Sequence, residues 1–123
     1  MSKRPIKALL ITIQDSIRTA LEHIDRGGLG IALIVDDDHH LLGTISDGDI
    51  RRAMLDGINL NNPIQILLER KANTQYFRPI TAPLGTSPEK LIALMREYVL
   101  TLIPILDEDK RVIDITTMDE LFP

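Results

Sequence analysis

The 123-residue chain has no cysteine and no tryptophan, and aromatic residues make up only 3% of it. The missing thiols exclude a disulfide scaffold and a thiolate zinc site, and they fit a reducing, cytoplasmic setting. With two Tyr and two Phe, there are few rings on which bases could stack, which argues against single-strand nucleic-acid binding. A surplus of positive charge is missing too. The formal net charge is −4, unfavourable for a phosphate backbone. Long apolar runs are also absent. Lys3, Arg4 and Lys7 precede Ala8-Leu9-Leu10-Ile11 and imitate a signal peptide, but the run stops at Gln14-Asp15 without a small-residue cleavage site. A short buried strand is the expectation there, and no membrane association is predicted. No G-x-x-x-x-G-K-[S/T] loop occurs, and His23 has no evident nucleophile partner, so no catalytic machinery is expected in this chain.

What is present is ordinary in bulk: 44% hydrophobic and 26% charged residues, as in a globular domain with one core. Ile, Leu, Val, Ala and Met must build that core, which suits a β-branched sheet packed with Leu-rich helices. The strongest signal is internal repetition. Ile31-Ala32-Leu33-Ile34-Val35-Asp36-Asp37-Asp38 matches Leu102-Ile103-Pro104-Ile105-Leu106-Asp107-Glu108-Asp109 without a gap, 71 positions later. The same displacement carries Ser46 to Thr117, Asp49 to Glu120 and Ile50 to Leu121. Apolar period and turn chemistry repeat together, which fixes the architecture before any motif is weighed.

Each unit reads as β-α-β-β-α, an α+β fold. A short strand is predicted at Ala8–Ile11 and at Ile80–Ala82, followed by a helix with apolar residues at i, i+3, i+4 and i+7. Asp15 or Ser16 can cap the first helix, and Ser87 followed by Pro88 caps its counterpart. Gly27-Gly28 supplies the left-handed geometry that ends the first helix. Two strands joined by an acidic turn come next, then a second helix from about Asp47–Asp49, with Ile50, Ala53 and Met54 inward. In the second unit the chain ends where that helix should begin. Asn62-Pro63 opens a linker helix with an apolar face of Ile64, Leu67 and Leu68. The expected division is repeat 1 over 1–59, a linker helix and connection over 60–78, and repeat 2 over 79–123. A unit of roughly 55 residues is marginal alone, so the two are expected to pack together.

Leu42-Gly43-Thr44-Ile45-Ser46-Asp47-Gly48-Asp49-Ile50 resembles the signature of cystathionine-β-synthase-type (CBS) domains, h-G-x-x-[S/T]-x-x-[D/N]-h. With the repeat, the resemblance covers about Ala8 to Leu121 and identifies a tandem CBS pair, or Bateman module. Gly27 to Asp36 and Gly43 to Ala53 are similar to the subgroup that lies N-terminal to sugar-1-phosphate nucleotidyltransferase domains. Ending on Leu121-Phe122-Pro123, without a polar tail, the chain is expected to be truncated ahead of such a fused catalytic domain.

The resemblance implies two clefts related by a pseudo-twofold axis, each able to hold AMP, ADP, ATP or S-adenosylmethionine, and self-association into a homodimer through the helices that follow each hairpin, including Ile50 and Met54. Asp49 would accept hydrogen bonds from both ribose hydroxyls. Ser46 and the helix N-terminus would meet phosphate, joined by Arg52 on the same helix face. The base would enter an apolar slot near Ile31, Ala32 and Leu33, edged by the strand Leu10–Thr12, so that Leu10 and Thr12 border it. The second cleft departs from the pattern. Thr117 keeps the hydroxyl, Glu120 is longer than the aspartate by one carbon bond, roughly 1.5 Å, and Asp114 replaces the glycine equivalent to Gly43. The first cleft is expected to bind better. A register using Thr116 and Asp119 instead would break the gapless repeat.

Structural readings stand beside these. Asp49 also suits a helix N-terminal carboxylate, Ser46 a plain cap, Arg52 a solvated surface residue, and the whole module a dimerising scaffold with empty clefts. His39-His40 point to opposite strand faces and do not share an ion. Asp36-Asp37-Asp38 lacks the glycine and terminal glutamate of a calcium loop. Gly27-Gly28-Leu29-Gly30 leaves a helix and continues without Thr-Arg, so it is a helix stop and no catalytic loop.

Overall fold

The computed structural model describes residues 6–72, 74 and 78–122. The chain divides into two compact units, residues 1–79 and 80–123. Unit 1 contains β1 (Leu10–Ile11), α1 (Ile17–Gly27), β2 (Ile31–Val35), β3 (Leu41–Ser46), α2 (Asp47–Leu55) and α3 (Ile64–Lys71). Unit 2 contains β4 (Ala82–Pro83), α4 (Pro88–Tyr98), β5 (Leu102–Leu106), β6 (Val112–Thr117) and α5 (Met118–Leu121). Each unit carries a three-stranded sheet, ordered β1-β2-β3 and β4-β5-β6. The first pair in each is parallel and the second antiparallel.

The 71-residue displacement survives into the backbone. Ile31 pairs with Ser46 and Leu102 with Thr117, and both hairpins shift register at one point, Ile34/Val35 and Ile105/Leu106. Both turns close alike. The Asp36 carboxylate accepts the N–H groups of Asp38 and His40, and Asp107 accepts those of Asp109 and Arg111. This Asx geometry competes with the ladder and ends it.

Two expectations about the first strands need correction. Residues Ile6–Leu9 form a 3-10 helix, not a strand, and pairing is confined to Leu10–Ile11. The 3-10 segment is held from α1, where His23 Nδ1 lies 2.8 Å from Ala8 O. Beyond the strand, Asp15 takes the Thr12 N–H at 2.9 Å and turns the chain away. In unit 2 the strand is Ala82–Pro83 in place of Ile80–Ala82. Pro104 explains the displacement. Thr101 O accepts the Met118 N–H, so alternation along β5 turns Leu102, Pro104 and Leu106 toward β4, and Pro104 has no N–H to give there. Pairing begins one residue later, with the register unchanged.

Ser16 caps α1, its hydroxyl accepting the Thr19 N–H, and Ser87 caps α4 in the same way. Gly28 ends α1 at φ 69°, and its N–H donates to Ile24 O. Val99 holds the matching position at the end of α4, at φ 55°. α3, expected as part of a connection, is built into unit 1. Ile64 and Leu67 join its core with Ile17, Ile34 and Ile50, and Leu68 packs against that core. The N–H groups at its start donate to Asp15 O and Ile13 O, which satisfies donors that a helix N-terminus leaves over.

Candidate functional site

The junction of β3 and α2 gathers the polar residues of interest. Ser46 leaves the strand in extended geometry and caps α2. Its hydroxyl accepts the Asp49 N–H at 3.1 Å, and its own N–H donates to Asp49 Oδ2 at 2.9 Å. These reciprocal bonds are a capping box, with Asp in place of Glu. Lys71, the last residue of α3, places Nζ 3.1 Å from the same Oδ2. Arg52 Nη2 donates to Oδ1 at 3.0 Å. The Asp49 and Lys71 side chains are each 16% exposed, whereas Arg52 is 66% exposed.

Burial pushes the Asp49 carboxyl upward, but the Ser46 N–H and the charge and hydrogen bond of Lys71 outweigh it and hold the group below the ordinary 3.8. Asp49 is therefore an ionised, half-buried carboxylate at a helix entrance. Three partners already use most of the roughly four acceptor positions of a carboxylate. A sugar that takes both oxygens must share or displace them. The helix N-terminus is also partly spent, since the Asp47 N–H donates to Gly30 O and the Asp49 N–H to Ser46 Oγ.

The strand residues converge on the same sheet. Ile31 lies opposite Ser46, and Leu33 lies opposite Thr44 on one side and Leu10 on the other. Ile31 and Leu33 share one face, while Ala32 faces the helical core of unit 1. Ala32 and Leu33 are fully buried; Leu10, Thr12 and Ile31 are half-buried. In unit 2, Thr117 is buried and caps α5 without a side-chain hydrogen bond, and Glu120 is exposed. Thr117, not Thr116, stands at the cap, so the backbone follows the gapless repeat.

Sequence reasoning missed Lys71 and the backbone it grips. Its Nζ donates to Thr44 O at 2.8 Å. Gly43 makes that approach feasible, because a Cβ there would meet Leu68 Cδ1 of α3 at 2.5 Å. At the turn, His39 adopts φ 68° while His40 pairs with Asp36 at 3.1 Å. The Asp36 carboxyl is held below its usual value, first by the His40 N–H. Among the described residues no group of His, Asp and Glu could hold a metal, and no helix is long and apolar enough to cross a membrane.

The sequence model of the CBS domain matches residues 1–56 and 75–122. The chain is 34% identical to arabinose 5-phosphate isomerase KdsD of Yersinia pestis, over 68% of this chain and 30% of that protein. It spans about a third of the length of the curated relatives it matches. A CBS domain protein of Pyrobaculum aerophilum complexed with AMP superimposes with TM-score 0.75 at 15% identity, over 98% of this chain and 85% of that one. The cytosolic domain of the Mg2+ channel MgtE in complex with ATP superimposes with TM-score 0.73 at 18% identity, over 93% of this chain and 43% of that one. At these identities the likeness is one of fold.

Proposed function

This chain belongs to the CBS domain family, and we propose that it is a regulatory pair of repeats that senses an adenine nucleotide through the Ser46–Asp49 junction of the first repeat. The observation that carries this reading is Asp49 itself, a half-buried carboxylate kept ionised and bonded to Ser46, which pairs with Ile31 at the end of the sheet. A hydrogen bond from a ribose hydroxyl to such a charged group is worth about 1.5–3 kcal/mol. The AMP and ATP held by the two structural neighbours support this ligand class, to which ADP and S-adenosylmethionine also belong. Thr12 completes the base edge of Leu10, Ile31 and Leu33, whereas Ala32, expected there, turns into the core of unit 1 and supports the edge from behind. Ser46 and Arg52 face the phosphate, and Arg52 can swing from Asp49 because it is solvated. Thr117 and Glu120 give the second repeat a weaker site, since no capping box prepares its carboxylate. In this reading the repeats run over 1–59 and 79–123, and 60–78 ties them, with α3 serving the first repeat as well as the tie.

The module regulates an attached enzyme of sugar-phosphate metabolism by binding two of its states unequally. The isomerase relatives favour an isomerase as that enzyme over the nucleotidyltransferase to which the sequence resemblance points. Self-association through the helices that follow the hairpins, α2 and α5, is part of the proposal, with α1 beside α2 in the first repeat. Leu21, Ile50, Met54 and Leu55 line an apolar groove there, and sedimentation at several concentrations should show a dimer. One observation favours a second reading, a scaffold with empty clefts: both Asp49 oxygens are already engaged.

Thermal unfolding with AMP, ADP, ATP, GTP and S-adenosylmethionine separates the two. A ligand at 100 times its Kd stabilises by about 2.7 kcal/mol, a rise of several degrees for a domain of this size. A rise with an adenine nucleotide that disappears in Asp49→Ala is expected. No rise with any at millimolar concentration would leave the scaffold.

A further inference from the structure

We propose that Lys71 is a ligand-displaced latch, which clasps the last turn of α3 to Asp49 in the empty module and lets go when a ligand claims that carboxylate. The inference rests on the Asp49 reading above and adds to it a mechanical output. Lys71 is a buried-stripe residue. It follows Ile64, Leu67 and Leu68 at the helical spacing of the apolar face, yet it carries a charge and is only 16% exposed. Its ammonium spans two elements, donating to Thr44 O of β3 at 2.8 Å and reaching Asp49 Oδ2 of α2 at 3.1 Å.

The two ends of α3 are held differently. The first turn is fixed by core side chains, Ile64 and Leu67, and by backbone bonds to Ile13 O and Asp15 O. The last turn is held by Leu68 against Gly43, the exposed Arg70–Asp56 pair at 2.7 Å, and Lys71. Removing the negative partner of a mostly buried cation leaves an uncompensated charge, and the helix end can relieve it by opening toward water. A ribose that takes both Asp49 oxygens produces a milder form of this, since it displaces Lys71 from Oδ2 and leaves the ammonium with Thr44 O while the carboxylate keeps its charge. From Lys71 the chain runs directly into the connection to β4, so opening the last turn lengthens the tether between the repeats. Ligand occupancy thereby becomes slack in the connection, a difference that an attached domain can respond to.

The test is amide hydrogen exchange on the whole chain, read at Lys71 and Ala72, with and without AMP, in wild type, Asp49→Asn, Ser46→Ala and Lys71→Met. The Ala72 N–H donates to Leu68 O at 3.1 Å and reports the last turn directly. Asp49→Asn is expected to speed exchange at these amides by about tenfold without ligand, while Ser46→Ala, which breaks the cap and keeps the ion pair, leaves them unchanged. AMP is expected to speed the same amides in wild type. Lys71→Met removes the competitor for Asp49, so AMP should bind it several-fold more tightly even though the fold is weakened. A lysine with a merely packing role would lower both. Unchanged exchange in Asp49→Asn overturns the latch whatever AMP does. AMP binding that leaves Lys71 and Ala72 unchanged or slower overturns it while leaving the nucleotide reading standing. AMP binding to neither wild type nor Lys71→Met overturns the nucleotide reading, and the latch with it as a ligand response; the Asp49→Asn exchange then decides whether the clasp itself exists.

Discussion

In unit 1 the hairpin leads into a nine-residue helix through a closed capping box, and a further helix lies across β3. In unit 2 the same hairpin leads into a four-residue helix whose cap makes no side-chain bond. Among the described residues, α3 adds Ile64 and Leu67 to the core cluster of unit 1, and the cluster of unit 2, built on Leu91, Met95, Ile103 and Ile105, contains no residue of a matching helix. Yet the ladders, bulges and turns of the two hairpins correspond residue for residue. Register is therefore set by features both units share, apolar alternation and the Asx turn. The two junctions differ at three positions that bear on the proposed site: Gly43 and Asp114, Ser46 and Thr117, Asp49 and Glu120.

The comparison can be broken most forcefully at Gly43. Gly43→Asp puts the unit 2 residue under Leu68, where its Cβ collides and its carboxylate is buried. Urea denaturation should show a loss of about 2–3 kcal/mol, and Lys71 should lose its seat. The reverse change, Asp114→Gly, should cost about 1 kcal/mol or less. Equal effects at the two positions would mean that α3 does not depend on Gly43.

Next in size is the cap. Asp49→Ala should lower stability by about 1–2 kcal/mol, the range for a lost helix cap, whereas Glu120→Ala should stay within about 0.5 kcal/mol as an exposed substitution. Parallel thermal melts decide this. The helix ends offer a smaller effect of opposite sign. Val99 sits at φ 55° and is 89% exposed, so it has left-handed strain without a packing reward. Val99→Gly should raise stability by about 0.5–1 kcal/mol, and a scanning melt should show it as a few degrees. Gly28→Val imposes the same strain on unit 1 and should lower it.

The smallest difference is in acid. The Asp49 pKa is depressed in the folded state. Its contribution is therefore complete above the unfolded value and disappears as pH falls through the lower folded one. The stability gap between wild type and Asp49→Asn should narrow from about pH 5 downward, read from denaturation curves at stepped pH. A gap that widens on acidification would contradict the depressed value.

Much of this was legible beforehand because it is local. The turn at Asp36-Asp37-Asp38, the caps at Ser16 and Ser87 and the stop at Gly28 are each written within a few residues, and the 71-residue displacement joins them. The start of each unit was not. Ala8-Leu9-Leu10-Ile11 is apolar enough for either a strand or a tighter turn, and what distinguishes them lies on a different element: His23 of α1 beside Ala8 O, and Leu9 buried near Gly27. The late start of β4 depends on Pro104, whose effect falls on a different strand. Asp49 and Ser46 were visible as a motif, but the occupancy of their atoms was not. Lys71 lies 22 positions from Asp49 and reads as a cation that complements a helix C-terminus. Its place on the stripe of Ile64, Leu67 and Leu68 was the available cue, since a charge on a buried face calls for a partner.

The shared hairpin geometry also bears on how this chain can be rebuilt. Residues 31–46 and 102–117 have equal length, the same bulge, and a left-handed residue at the same place, His39 and Lys110. Their backbones are superimposable in register, but their side chains are not: Gly43 under Leu68 and Leu33 opposite Leu10 stand where the second hairpin carries Asp114 and Pro104. A graft of the second onto the first's flanking helices keeps every side chain on its original face, and it needs glycine restored at the Gly43 place and a residue with an N–H restored at the Leu33 place.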